Sequence, residues 1–395
     1  MTRFVVCLDG TWNNAAKETE RADGSMVYRP TNVLKVARSV LLLDDVGDSQ
    51  VTYYDTGVGS MNRAPTGAAR IVRKTDNVLG GALGAGFEIN IEEAYTFLVN
   101  NWTEGDELFV FGFSRGAAQA RSLCRLIGWV GGFPTKADAY YVPKLYTQYL
   151  ENHGHGSGAE FWQQQNERNL QKNRKPLEPI MLAGVRYLGV WDTVLALGSR
   201  FRPRGLRRSE KVAFHTPATP PNNVDHIRHA LAIDERRHDF QPEIFDAGGK
   251  DVEQRWFAGV HSNIGGGLSE DGLANCALHW LVNEAVEFGL EVDREFLRPY
   301  KEGPEGRASK KTKAFAALDT ILWPIRGFSG ERNLDHVDGM TLDPSAIKRL
   351  NADFVKEKKT MDEPYRPMNL LRYLARHPEI HNQLNNEVKA AIARI

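Results

Sequence analysis

The amino-acid sequence predicts an α/β fold with a mostly parallel central sheet flanked by helices, on three observations. Short apolar runs of strand length alternate with longer segments of helical periodicity. Several of these runs end directly in polar or glycine-rich clusters, as parallel strands do where they present functional groups. At 395 residues, of which 42% are hydrophobic, the chain can also bury a large core.

The strands are predicted from short apolar runs that are bounded by turn-forming residues. They cover residues 4–8, 50–54, 107–111, 185–190 and 255–260. The helices are predicted from apolar positions three and four apart, as at Ile91, Tyr95 and Leu98. They cover residues 89–99, 115–127 and 273–288. The glycine-rich stretch 80–86 is predicted to be a loop that lets the following helix approach the functional site.

The chain is predicted to have two regions. All strand candidates fall within residues 1–290, which form the main α/β domain. Within it, about 135–180 is aromatic and rich in glutamine and asparagine, which predicts a helical insertion. Residues 291–395 are predicted to form a mostly helical extension, with an exposed polar segment at 301–313.

The composition excludes several classes of function. Lys+Arg 50 and Asp+Glu 50 give a formal net charge of +0, so no overall basic field could hold nucleic acid. Local basic patches stay open, for example at 200–208. The three cysteines, Cys7, Cys124 and Cys276, form no CxxC pair, which argues against a disulfide framework or a cysteine zinc site.

Membrane and targeting signals are weak in this sequence. No apolar run approaches the roughly 18 residues of a membrane span, although peripheral contact with a membrane stays open. The apolar run at 4–8 is too short for the core of a signal peptide. We therefore expect a cytoplasmic protein, and export by a route without a cleavable signal stays open.

The most informative motif is Gly112-Phe113-Ser114-Arg115-Gly116, which matches Gly-x-Ser-x-Gly between a predicted strand and a predicted helix. In this context a serine sits on a sharp turn with its hydroxyl exposed above the sheet, and the glycines leave room for that turn. Ser114 is therefore the predicted nucleophile. The alternative is an ordinary glycine-rich turn whose serine caps the helix.

A serine nucleophile needs a carboxylate and a histidine, which follow it in this chain order. Asp192 and His261 each come just after an apolar run, where parallel strands present functional groups. We predict that Asp192 orients His261 and that His261 takes the Ser114 proton. Asp234 is the rival acid, although its charged neighbours indicate a structural ion-pair cluster.

The pair His226 and His229 has the i, i+3 spacing of a helical metal site, but a surface or capping role is the commoner use of such a pair. We predict no metal and no cofactor. The stretch 80–86 does not fit the dinucleotide motif GxGxxG, and the sequence has no P-loop.

The loop after the first strand, Asp9-Gly10-Thr11, is predicted to complete the site. The backbone amides of Gly10 or Thr11 could join that of Arg115 in holding an oxyanion. Asp9 could instead hold the loop by hydrogen bonds. A phosphatase of the DxDGT type is excluded, because Cys7 stands where the first aspartate is needed.

Together these blocks resemble a family of uncharacterised bacterial and fungal α/β-hydrolase proteins that includes the catalytic domain of type VI secretion phospholipase effectors. The matching blocks lie at 8–13, 112–117, 189–194, 232–235 and 256–262. The resemblance implies an α/β-hydrolase core with a triad at Ser114, Asp192 and His261. Asn263 is a departure, because the family leads us to expect aspartate there. The segment after 290 also appears too short for the membrane-docking modules of the large effectors.

The sequence therefore predicts a serine ester hydrolase that works through an acyl-enzyme on phospholipids or other acyl esters. Two alternatives stay open: a weak or silent hydrolase scaffold in a toxin or defence locus, with an immunity or assembly partner, and an esterase for a small non-lipid ester. Aromatic residues of the insertion could form a lid over an acyl chain, but ordinary packing is the favoured interpretation. They are Tyr140, Tyr141, Tyr146, Phe161 and Trp162.

Overall fold

The computed structural model describes residues 1–10, 18–20, 26–57, 81–181, 184–195, 215–237, 240–306, 330–335, 339–352, 355–356 and 362–395. Three features of the sequence lie outside these residues: Thr11, the basic patch at 200–208, and residues 307–313 of the polar segment.

The centre of the fold is a seven-stranded sheet in which every neighbouring pair of strands is parallel. The strands are β1 (Thr2–Leu8), β2 (Ser49–Asp55), β3 (Glu107–Phe113), β4 (Val185–Trp191), β5 (Val224–Ala232), β6 (Val252–Phe257) and β7 (Thr341–Leu342). Their spatial order is β2-β1-β3-β4-β5-β6-β7. The order reverses between β1 and β3, and such a reversal opens a crevice at the carboxyl ends of the strands. The predicted parallel α/β fold is confirmed.

Helices cover both faces of the sheet. They are α1 (Asn32–Ser39), α2 (Gly81–Asn101), α3 (Arg115–Val130), α4 (Val142–Glu151), α5 (Ala159–Gln171), α6 (His261–Gly265), α7 (Gly272–Glu287), α8 (Arg294–Leu297), α9 (Pro344–Asn351), α10 (Met368–Arg376) and α11 (Asn386–Ile392). Short 3₁₀ turns cover Lys136–Tyr141 and Pro378–Gln383. Three small antiparallel pairs join Glu18–Glu20 to Met26–Tyr28, Gly132–Phe133 to Ile180–Met181, and Val355–Lys356 to Asp362–Glu363.

The alternation of side chains along β1 divides the core into two layers. Val6 and Leu8 belong to the layer that contains α2, α3 and the insertion, whereas Val5 and Cys7 belong to the layer that contains α1 and α7. Because both faces of the sheet are covered, its inner strands are almost continuously apolar, which explains why short apolar runs predicted them.

Two sequence predictions about elements are wrong. The stretch 80–86 is not a loop over its described residues, because α2 begins at Gly81. The glycines lower the intrinsic helix propensity, but the packing of the rest of α2 in the core overrides that local preference. His226 and His229 lie on strand β5 and not on a helix. On a strand, residues three apart point to opposite faces, so these two histidines cannot hold one metal together.

The insertion packs on the end of α3 that is farthest from Ser114. The Gly158 amide donates to the Trp129 carbonyl, and the Trp162 indole donates to the Val130 carbonyl. A helix of the length of α3 spans roughly 24 Å. The predicted helical insertion thus contains α4 and α5. Four of the five aromatic side chains named as lid candidates are buried in the core, and the fifth, Tyr140, is exposed. These contacts favour the packing interpretation over a lid above Ser114.

The segment after residue 290 adds to the sheet and covers its edge. Strand β7 pairs with β6, and the Trp256 indole on β6 donates to the carbonyl of Leu334. Leu231 and Trp256 share a buried cluster with side chains of α9, α10 and α11. The boundary at 290 stays a prediction. Of the helices in the described stretches, none is long and apolar enough to cross a bilayer.

Candidate active site

Ser114 forms a sharp turn between β3 and α3. Its backbone angles, φ 59° and ψ −123°, lie in a region that costs a non-glycine residue free energy. The turn is held because the Ser114 amide donates to the Trp191 carbonyl and the Ser114 carbonyl accepts from the Ala118 amide. This strand–turn–helix geometry is that of a nucleophile elbow.

The two glycines of the motif are required by close backbone approach. A Cβ on Gly112 would lie 2.5 Å from the carbonyl oxygen of Gly116, so a larger residue could not fit at this turn. Gly116 in turn lies against the end of β1, at Leu8 and Asp9. Because Gly116 has no side chain, α3 packs directly on the end of β1, and the loop after β1 lies next to Ser114.

The structure brings Ser114, His261 and Asp192 into one hydrogen-bonded series. His261 Nε2 lies 2.8 Å from Ser114 Oγ, and His261 Nδ1 lies 2.6 Å from Asp192 Oδ2. The rings of Phe113 and Phe240 contact the imidazole, with centroids 4.7 and 4.8 Å away. Because all three side chains are almost fully buried, these interactions occur largely away from bulk water.

Other groups besides His261 hold the Asp192 carboxylate in place. Its Oδ1 accepts from the Ala232 amide, and the Arg332 guanidinium donates to both carboxylate oxygens, at 2.6 and 3.1 Å. Burial alone would raise the pKa of this carboxyl, but Arg332 and His261 outweigh it and hold the pKa well below its usual range. An ionised Asp192 favours the His261 tautomer with the proton on Nδ1, which leaves Nε2 to accept the serine proton.

Asp234 contacts the turn that precedes His261. Its carboxylate accepts from the Gly259 amide at 2.7 Å and from the Tyr365 hydroxyl, so it holds the turn that precedes His261. The carboxylate that lies 2.6 Å from His261 Nδ1 is that of Asp192, and the catalytic role of either acid stays a prediction.

Asn263 lies buried in the turn of His261. Its side-chain carbonyl accepts from the Val260 amide at 3.3 Å. An aspartate would offer the same acceptor, so the departure from the expected residue preserves this contact. The neighbouring Gly259 has φ 115°, and a Cβ there would lie 2.5 Å from the Asn263 side chain.

On the oxyanion side of Ser114, Arg115 is the first residue of α3, whose N-terminus favours negative charge. Burial lowers the pKa of its guanidinium to about 10. The Gly10 amide donates to Asp9 Oδ1, and Asp9 Oδ2 accepts from the hydroxyls of Thr31 and Tyr54. Asp9 thus holds the loop, and the oxyanion role of the Arg115 and Gly10 amides stays a prediction.

Two residues that contact the site, Arg332 and Glu235, were not predicted to do so. Arg332 lies 140 positions from Asp192, and no local pattern marks it. Glu235, paired with Arg237 at 2.7 Å, accepts from the His261 backbone amide. The sequence indicates a charged cluster around Asp234, but the contact of Glu235 with the His261 amide depends on the fold.

His229 contacts the backbone next to Asp192. Its Nε2 accepts from the Thr193 amide, next to Asp192, and its Nδ1 lies 3.2 Å from Gln254 Oε1. Burial lowers the pKa of His229 to about 3, so the ring is neutral at ordinary pH.

Comparisons with known proteins agree with the resemblance found in the sequence. Residues 2–284 match the family described as type VI secretion system, phospholipase effector Tle1-like, catalytic domain. The chain is 27% identical over 251 residues to the uncharacterized protein YEL023C of Saccharomyces cerevisiae, covering 61% of this chain and 32% of the yeast protein. It therefore spans about a third of the length of that relative.

Two solved structures are similar to this chain. One is an uncharacterized protein from Pseudomonas aeruginosa, at 17% identity and a TM-score of 0.40, covering 77% of this chain and 49% of the other. The second is the Tle1 effector bound to the VgrG spike of the type VI secretion system, at 18% identity and a TM-score of 0.39, covering 68% and 51%. On the extent of the family match, this chain belongs to the Tle1-like catalytic domain family of type VI secretion phospholipase effectors.

Proposed function

We propose that the chain is a serine hydrolase that cleaves acyl esters of phospholipids. The observation that carries the proposal is the hydrogen-bonded series from Ser114 Oγ through His261 to Asp192, with the serine on a strained turn. Membership of a phospholipase effector family indicates hydrolysis of lipids, and it supports a lipid as the substrate.

In the proposed reaction, Ser114 Oγ attacks the carbonyl carbon of the ester while His261 Nε2 takes the hydroxyl proton. The tetrahedral intermediate collapses, and His261 returns that proton to the departing alcohol. A water molecule, deprotonated by the same imidazole, then attacks the acyl-enzyme and releases the fatty acid. Asp192 stays ionised throughout and stabilises the imidazolium.

The developing oxyanion would lie at the N-terminus of α3, where the Arg115 amide can donate to it. The Gly10 amide is engaged by Asp9 in this structure, so its use as the second donor requires that bond to be given up. Whether or not the Gly10 amide is the second donor, the loop after β1 lies beside Ser114, because Gly116 packs against Leu8 and Asp9.

The experiment is hydrolysis of three substrate types by the wild type and by Ser114→Ala. They are vesicles of a diacyl phospholipid, long-chain p-nitrophenyl esters and short-chain p-nitrophenyl esters, with released fatty acid or nitrophenol as the readout. The proposal expects Ser114-dependent release of fatty acid from the vesicles. Turnover of short esters alone would support a small-ester esterase, and no turnover by folded protein would support the silent scaffold.

A further inference from the structure

Arg332, which follows residue 290 in the chain, donates two hydrogen bonds to the carboxylate of Asp192, one of the three proposed catalytic side chains. Its side chain and that of Asp192 are 1% and 0% exposed. The guanidinium also donates to the carbonyls of Ala232 and Phe240. These four contacts fix its plane against the carboxylate in the two-pronged geometry that makes arginine pairs specific.

The backbone of Arg332 is itself anchored. Its carbonyl accepts from the Asn369 side chain on α10, which also donates to the carbonyl of Ile233. The C-terminal segment reaches the histidine turn as well, because Tyr365 donates to Asp234 and Asp234 accepts from the Gly259 amide. The family match ends at residue 284, so both connections come from outside the matched segment.

We propose that Arg332 is a positioning residue for the reaction, which orients the Asp192 carboxylate toward His261 and offsets part of its negative charge. The inference deepens the proposed function and rests on it. It also makes the C-terminal segment part of the active site rather than an accessory to it.

The charge effect has a definite sign. A carboxylate that shares its charge with a guanidinium stabilises a neighbouring imidazolium less, so loss of Arg332 should move the acid limb of the activity profile to higher pH. Among the described residues, other charged or titratable groups around the pair include Glu235 with its partner Arg237, and Asp234 with Tyr365 on the histidine turn. The neutral His229 lies next to Asp192, with Arg121 nearby. None of them changes when Arg332 is replaced.

Three variants separate charge, geometry and simple stability. Arg332→Met removes both the positive charge and the paired hydrogen bonds to Asp192. Arg332→Lys keeps the charge but not the paired geometry. Arg349→Met is the matched control, because Arg349 is an equally buried arginine after residue 290 that donates to the carbonyls of Pro304 and Gly306. Its guanidinium also lies over the ring of Tyr365, so this variant also controls for an indirect disturbance of the histidine turn. Thermal unfolding of each variant reports the loss of stability.

The first readout is the pH dependence of kcat/KM. For Arg332→Met we expect the acid limb to move up by about one pH unit or more, with kcat about 10-fold or more below wild type. Arg332→Lys should keep the acid limb near that of wild type while kcat falls. Arg349→Met should lower stability alone. An acid limb for Arg332→Met that coincides with that of Arg349→Met would overturn the proposal.

The second readout does not need turnover. In protein labelled with ¹⁵N-histidine, the His261 resonances, assigned by their loss in His261→Gln, are followed against pH in the Ser114→Ala background. Arg332→Met should change the pH dependence of these resonances relative to Arg349→Met, even if the proposed function were wrong. An unchanged titration would contradict the role of Arg332 while leaving the hydrolase proposal intact.

Discussion

A Cβ atom on Gly116 would lie 2.1 Å from the carbonyl oxygen of Leu8, well inside van der Waals contact. Helix α3 and strand β1 therefore touch backbone to backbone beside Ser114. Replacement of Gly116 by alanine must push α3 away from β1 or disturb the turn. We expect Gly116→Ala to lower the free energy of unfolding by at least about 2 kcal/mol and to abolish most turnover.

The matched control for that prediction is Gly330→Ala. Gly330 is exposed, and no atom lies within 4 Å of the Cβ it would acquire. We expect its stability, measured by denaturant unfolding, to stay within about 0.5 kcal/mol of wild type. Equal tolerance of alanine at both positions would show that close packing of α3 on β1 is not needed.

The two candidate acids can be separated by amide substitutions. Asp192→Asn removes the charge that faces His261 and should lower kcat by about 10³ to 10⁴-fold. Asp234→Asn keeps an acceptor for the Gly259 amide and should lower kcat by less than about 10-fold. Rate measurements on folded variants decide between them. A larger loss for Asp234→Asn than for Asp192→Asn would reverse the assignment.

Asn263 provides a test of the silent-scaffold alternative. Asn263→Asp keeps an acceptor for the Val260 amide, so we expect kcat within a few fold of wild type. Asn263→Leu removes the acceptor and leaves a buried amide unpaired, which should cost about 1–3 kcal/mol of stability. If Asn263→Asp instead raised turnover by orders of magnitude, the natural asparagine would mark a weakened site.

His229 gives a pH dependence with a clear sign. Its folded pKa of about 3 lies below the ordinary histidine value of 6.5, so between these values the unfolded chain binds more protons. Stability should fall as pH drops through that window, by up to about 1.4 kcal/mol per pH unit. His229→Gln should flatten this slope in denaturant titrations, whereas the exposed His155→Gln should not. Equal slopes in all three proteins would rule out a neutral buried His229.

Much of the site could be predicted from sequence because its parts follow strand ends. Ser114 follows β3, Asp192 follows β4, and His261 comes shortly after β6. The carboxyl ends of parallel strands meet at one edge of the sheet, so local signals far apart in the chain converge in space. The motif at 112–116 carried most of the information.

The parts that could not be predicted depend on tertiary packing. Arg332 reaches Asp192 from a segment with weak patterning, and nothing in its own neighbourhood marks it as a partner of a carboxylate. Strand β5 was missed because four of its nine residues are charged or histidine, so it lacks the continuous apolar run by which the other inner strands were predicted. The helical start at Gly81 runs against the propensity of glycine and needs its packing partners.

The most direct test of the central claim is covalent labelling with a fluorophosphonate, followed by tryptic peptide mapping. The chain contains an internal comparison, since Ser122 Oγ lies 2.9 Å from His215 Nδ1 in the buried core. Trypsin cleaves after Arg115 and Arg121, so the two serines fall in different peptides.

The account predicts that the label is found on the Ser114 peptide, is lost in Ser114→Ala and persists in Ser122→Ala. It also predicts that Asp192→Asn slows labelling without abolishing the fold. Two results would contradict the proposal that Ser114 is an activated nucleophile. One is folded wild-type protein that takes up no label at Ser114, and the other is a Ser114→Ala variant that takes up as much label as the wild type.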